Sequence, residues 1–204
     1  MKRVLYIGDD YLAGTGMGLV SEFILGGIKE QCEVFHMAIN YSKGLRPKTG
    51  FRTFTSVSKY PNDFQGYFSL GQKIATIRPD LVIAHNDIDV VMAYYYGVPE
   101  IEFEGCNPLK DVPLLVYPPL DTQVIPEEWK KLQEIGKGPF SEKGPTFLAT
   151  CDWAATLLEN AGFAMHPDRF MYEQNDKNIK PLNNIRELKK KWARYPEVDV
   201  FLVV

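Results

Sequence analysis

Short apolar runs alternate with longer amphipathic stretches along the chain, and that alternation predicts its architecture. Strands are expected at 2–8, 32–39, 51–57, 80–85, 113–117, 145–149 and 198–204. Helices are expected at 17–30, 65–78, 87–96, 126–135, 151–161 and 184–193. Leu81-Val82-Ile83-Ala84 and Leu114-Leu115-Val116 are unbroken apolar runs, the pattern of strands covered on both faces. From Phe51 to Ser56 the polar and apolar positions are mixed, which suits a sheet edge. Strand and helix in turn argue for an α/β fold, a Rossmann-like, mainly parallel sheet flanked by helices with right-handed crossovers. Ligands of such folds lie beyond the carboxyl ends of the strands.

Three interruptions divide this pattern. Four prolines between Pro108 and Pro119 stiffen the ends of one strand, and Gly136 to Pro145 has the composition of an exposed loop. Glu173 to Asn184 is polar and helix-poor, as in a linker. The net charge of −3 supplies no basic field, so nucleic acid is not an expected partner. Lys189 to Lys191, and Lys43 to Lys48 with Arg46, read as a solvated helix face and a solvated loop. Cys32, Cys106 and Cys151 have neither metal-site nor disulfide spacing and read as reduced thiols. The chain enters its first strand directly, without a signal-peptide pattern, and no apolar run has membrane-spanning length, so a cytoplasmic location is expected.

Four segments put polar residues just past expected strands. In the first, Gly14, Thr15, Gly16, Met17 and Gly18 lead into a helix whose backbone N–H groups can meet a phosphate or a sugar. The G-x-G-x-G spacing is neither a dinucleotide fingerprint nor a P-loop. Asp9 and Asp10, ahead of it, either bind a hydroxyl or cap a turn. The second segment is His85-Asn86-Asp87, with His85 a hydrogen-bonding group or a base and Asp87 a ligand or a helix cap. In the third, Tyr117-Pro118-Pro119-Leu120-Asp121, the prolines aim Asp121 at a sugar hydroxyl or into a turn. The fourth, Thr150-Cys151-Asp152, opens a helix, and Cys151 reads as a small buried thiol before it reads as a nucleophile. His36 and His166 have no supporting pattern, and no residues show metal-ligand spacing.

In order and spacing these segments resemble the N-terminal half of a GT-B glycosyltransferase, most of all glycosyltransferase family 4. The resemblance rests on the opening strand and loop to Gly18, on Arg78-Pro79-Asp80-Leu81-Val82-Ile83-Ala84-His85, and on Val112 to Asp121. It continues through Phe147 to Ala154, Leu158 to Phe163, Phe170 to Pro181, Leu188 to Trp192 and Phe201 to Val204, so it spans essentially the whole chain. It implies an acceptor-side domain over 1–172, an interdomain linker over 173–184, and the first helix and strand of a donor domain over 185–204. The rest of that domain, with its pair of carboxylates, is expected beyond Val204 or on a partner.

The activity so implied is transfer of a sugar from a nucleotide-sugar donor to a glycan or lipid-linked acceptor, with retention of configuration and without a cofactor or metal. The chain alone is expected to be inactive. His85 and Asp121 are the implied catalytic residues, and His85→Ala is expected to slow transfer. Gly14, Thr15, Gly16, Met17, Gly18, Asn86, Asp87 and Tyr117 are the implied substrate-binding set, the glycine loop lying against the donor diphosphate or the acceptor. Many family members carry a His where this chain has Tyr117-Pro118. Peripheral membrane contact is expected through Arg46, Lys48 and Arg52 near Phe51 and Phe54, because many relatives act on lipid-linked acceptors. A non-catalytic α/β binding or interaction module is the alternative, and a receiver-like domain, suggested by Leu5 to Asp10, ranks third.

Overall fold

The apolar run after Arg3 folds as β1 (Arg3–Asp9), buried at every position but the first in the computed structural model of the protein. The structure describes residues 1–57, 63–97 and 108–168. In them β1 is followed by α1 (Gly16–Ile28), β2 (Glu33–Ile39), β3 (Arg52–Thr55), α2 (Tyr67–Ile77), β4 (Leu81–Ala84) and α3 (Ile88–Tyr96). Then come β5 (Leu114–Val116), β6 (Thr146–Phe147), α4 (Asp152–Asn160) and β7 (Ala164–Met165). All seven strands pair in parallel in the order β3-β2-β1-β4-β5-β6-β7, a Rossmann-like α/β arrangement. The flavodoxin-like order of a receiver, 2-1-3-4-5, is a different winding.

Helices cover the two faces of the sheet unequally. Leu25 of α1 packs on Val4, Tyr6, Val34 and Ile83. On the opposite face, Leu70, Ile74 and Ile77 of α2 and Val91, Tyr94 and Tyr95 of α3 join Leu5, Ile7, Met37, Val82 and Ala84 in the larger core. Winding reverses between the neighbours β1 and β4, and in open α/β sheets ligands bind in the crevice at such a switch point, outside the carboxyl ends of the strands. The strands expected to be covered are covered, and β3 is the expected edge, shorter than its sequence pattern.

Other elements depart from the sequence pattern. The stretch expected as a helix over 126–135 is a 3-10 helix, Glu127–Glu134, that starts after Pro126 and buries only Leu132. A second 3-10 turn, Pro108–Asp111, precedes β5. β7 was not expected, since two residues after a helix-ending Ala161-Gly162 carry no alternation.

The chain divides into two units, Met1–Tyr172 and Glu173–Val204. The second lies outside the described residues, and with it the expected linker over 173–184, the helix at 184–193, the strand at 198–204 and the Lys189–Lys191 cluster. Cys106 lies outside them too. No helix among the described residues is long and apolar enough to cross a membrane.

Candidate functional site

The loop between β1 and α1 begins where the sheet ends, at Asp9. Gly14 turns the chain at a φ of +70°, and Thr15 then caps α1, its hydroxyl accepting from Gly18 N–H at 2.9 Å. The same hydroxyl donates to Asp9 Oδ2 at 2.6 Å, and Asn40 Nδ2 donates to Asp9 Oδ1 at 3.0 Å. Thr15, expected to bind substrate, is thus committed within the loop by both of its hydrogen-bonding roles. Gly18 is needed for space, because a Cβ there would lie 2.7 Å from the carbonyl oxygen of Asp10. A Cβ on Gly14 or Gly16 would meet nothing within 4 Å, so this side of the loop is open. Gly16 and Met17 stand in the first turn, where backbone N–H groups have no partner within the helix.

Charge decides what those groups can receive. The Asp9 carboxylate, hydrogen-bonded to the cap residue, already sets a negative charge at the α1 N-terminus. A phosphate about 5 Å from it would meet a repulsion of roughly 3 kcal/mol per unit charge at an effective dielectric of 20. An uncharged hydroxyl meets none.

Asp10 is wholly buried and holds the loop to the segment after β2. It accepts from Leu12 N–H at 3.2 Å, from Ser42 N–H at 2.7 Å and from both guanidinium nitrogens of Arg46, with Nη1 at 3.1 Å from Oδ1. Burial pushes the Asp10 carboxyl up, and the hydrogen bonds from Arg46 and the two amides more than reverse it, holding the group below its ordinary value. Arg46 also lies over the Tyr41 ring, 4.0 Å from its centroid, and 5.5 Å from that of Tyr11. Arg46 is therefore part of the fold and not of a solvated loop. Phe51 is likewise turned inward against Tyr11 and His36, and the Arg52 guanidinium lies over Phe35. That leaves Lys48, the exposed Arg52 and the partly exposed Phe54 of the set on which membrane contact was expected.

Beside the loop stands His85. Ile7 pairs with Ala84 and Ala84 with Val116, so Gly8, His85 and Tyr117 follow side by side, one residue further on, on the α1 face. Gly8 lacks a side chain, and Tyr6 uses that space: a Cβ on Gly8 would lie 2.9 Å from Cε1 of the Tyr6 ring. Tyr6 Oη thereby reaches His85 Nδ1 at 2.9 Å and Ser21 Oγ at 3.0 Å. His85 is buried, and its ring lies 5.0 Å, centroid to centroid, from that of Tyr117. Burial drops its pKa to about 4, so the imidazole is neutral at pH 7. His36 is a second buried neutral imidazole, also lowered to about 4 by burial. Its Nε2 faces the Gly8 carbonyl at 3.4 Å, while its Nδ1 has no hydrogen-bond partner among the described residues.

Asn86 is buried, donating to Gln65 Oε1 at 3.1 Å and accepting from Asp87 N–H at 2.9 Å. Asp87 occupies the N-cap position of α3 but forms no capping bond with its side chain. Burial raises its carboxyl pKa, and the charges of Asp121 and Asp89 raise it further. Asp121 is exposed and near enough for its charge to act on Asp87, but no hydrogen bond among the described residues joins it to His85. The two implied catalytic residues therefore do not form a dyad. No three His, Cys, Asp or Glu residues among the described ones are grouped to hold a metal ion.

Cys151 is half-buried at the N-cap of α4 and not sealed in the core as expected, because it ends the strand-to-helix turn above Ala149 and Ala154. A groove of about 380 Å³ lies elsewhere, between α3 and the 3-10 helix, lined by Asp89, Met92, Tyr96 and Lys131 among others.

Sequence reasoning missed Tyr6, Ser21 and Arg46. A tyrosine within Val4-Leu5-Tyr6-Ile7 and a serine on the apolar stripe of α1 were the available signals, since buried hydroxyls need partners. No family model matches the chain, and no curated protein is significantly similar to it.

Proposed function

We propose that this chain binds the acceptor of a sugar transferase, an uncharged sugar or the sugar head of a lipid-linked acceptor, in the crevice between β1 and β4. The nucleotide-sugar donor belongs to a second domain. One observation carries the choice of ligand: the open first turn of α1 is flanked by the Asp9 carboxylate, which favours hydroxyls over phosphate. Of the two roles that the family resemblance allows the glycine loop, charge favours the acceptor. Gly16 and Met17 N–H groups, His85, Asn86 and the Asp87 and Asp121 carboxylates supply both donors and acceptors, the mixture a polyol requires. Holding the acceptor hydroxyl in place is the contribution this half makes to catalysis. Loss of any link between His85 and Asp121 keeps a second reading in play, a sugar-binding module without catalysis that uses the same crevice.

His85→Gln separates site from scaffold better than His85→Ala, which also removes a ring packed on Tyr117 and bonded to Tyr6. Calorimetric titration of a bound saccharide should show about tenfold weaker binding in His85→Gln, the worth of one hydrogen bond of about 1.4 kcal/mol. Equal affinity in the variant removes His85 from the site. Sugar transfer from nucleotide-sugar donors, assayed with a donor domain supplied, then separates the enzyme from the binding module.

A further inference from the structure

Two buried hydroxyls determine which proton His85 carries. Ser21 is fully buried, and among the described residues its side chain bonds only Tyr6 Oη, at 3.0 Å. It does not bond back to the carbonyl one turn earlier, as Thr76 does to Gln72 at 2.8 Å. Tyr6, also buried, has Ser21 Oγ on one side and His85 Nδ1 on the other, at 2.9 Å. Two proton arrangements fit this chain of atoms. In one, Ser21 O–H donates to Tyr6 Oη and Tyr6 O–H donates to His85 Nδ1, so both hydroxyl protons are used and the ring proton sits on Nε2. In the other, His85 Nδ1–H donates to Tyr6, and either Tyr6 donates to Ser21, which leaves the buried Ser21 proton with no acceptor, or Ser21 also donates to Tyr6, which leaves the buried Tyr6 proton with none. Buried polar groups without partners are costly, and the first arrangement leaves neither hydroxyl proton unpaired and only Nε2–H free to meet a ligand.

We propose that Ser21 and Tyr6 are positioning residues that fix His85 as its Nε2–H tautomer, making it a hydrogen-bond donor to the ligand and not a base. Nδ1 points back to Tyr6 in the middle of β1. Nε2, across the ring, makes no hydrogen bond with any described residue. The atom it meets must be an acceptor oxygen, so under the sugar-binding reading, on which only this part rests, it holds a sugar oxygen by a lone pair. Any proton leaving an acceptor hydroxyl goes to another group. Gly8 belongs to the same device, because it gives the Tyr6 ring its path to His85.

The tautomer is read directly by long-range proton–nitrogen correlation on the full chain labelled with nitrogen-15 histidine at pH 7. The chain has three histidines, assigned with His166→Gln and His85→Gln. His85 should show a protonated Nε2 and a pyridine-like Nδ1, and Tyr6→Phe, which deletes only the hydroxyl, should give a mixture of tautomers. A protonated Nδ1, an averaged pattern or a doubly protonated ring in the unmodified chain overturns the proposal, whether or not Tyr6→Phe folds. An unchanged His85 pattern in a folded Tyr6→Phe variant overturns the role of Tyr6. The spectrum needs no sugar, so its failure and the failure of sugar binding are separate results.

Discussion

Acidification from pH 7 to pH 4 should remove roughly 3 kcal/mol of stability for each of His36 and His85, given their pKa of about 4 in the fold. Burial strips both imidazoles of water, and that desolvation lowers each from an ordinary 6.5. An unfolded chain takes up protons as the pH falls through 6.5, while the folded one refuses them until about 4. Stability is therefore complete above 6.5 and falls throughout that window. Together the two rings weigh about as much as the whole stability of many domains, which starts near 5 kcal/mol. Urea midpoints measured at half-unit intervals should drop steeply below pH 6.5. His36→Gln and His85→Gln should each flatten the curve. A level profile down to pH 4.5 would mean that the rings are hydrated or charged in the fold. Asp10 acts in a different range, because its lowered carboxyl keeps its contribution until the pH falls below the ordinary carboxylate range.

Arg46→Ala should cost about 3 kcal/mol, the scale for breaking a buried ion pair by removing one partner. The Asp10 side chain is fully buried and that of Arg46 only 17% exposed, so the orphaned carboxylate would keep only the Leu12 and Ser42 amides. Truncation also strips the guanidinium from the faces of Tyr41 and Tyr11. Asp10→Asn combined with Arg46→Ala should recover part of the loss, since a neutral amide needs no cation. Chemical denaturation reads both variants, and a loss below about 0.5 kcal/mol in Arg46→Ala would place the pair among solvated surface contacts.

The sheet was legible because its central strands are unbroken apolar runs, and a strand buried on both faces leaves that mark. β7 left none, being two residues long and held by its pairing to β6. At the site, position was legible and chemistry was not. His85 and Asn86 stand past β4, and Tyr117 past β5, as the strand–helix alternation predicts. Which hydroxyl reaches His85 depends on the register of β1 against β4 and on the empty side of Gly8, and neither can be read from a single run of residues. Arg46 looked solvated because its partner lies thirty-six residues away. The capping role of Thr15 was not legible because capping and binding draw on the same residue types.

The central claim is that the crevice between β1 and β4 takes an uncharged sugar. Amide chemical-shift mapping of the full chain tests it most directly, with neutral mono- and disaccharides titrated in parallel with nucleoside diphosphates. Saturable shifts at Gly16, Met17, Asn86 and Asp87 with a saccharide, and none there with a nucleoside diphosphate, are the predicted result. Shifts at those amides with the diphosphate and not with any sugar would contradict it, and would assign the α1 N-terminus to a phosphate despite Asp9.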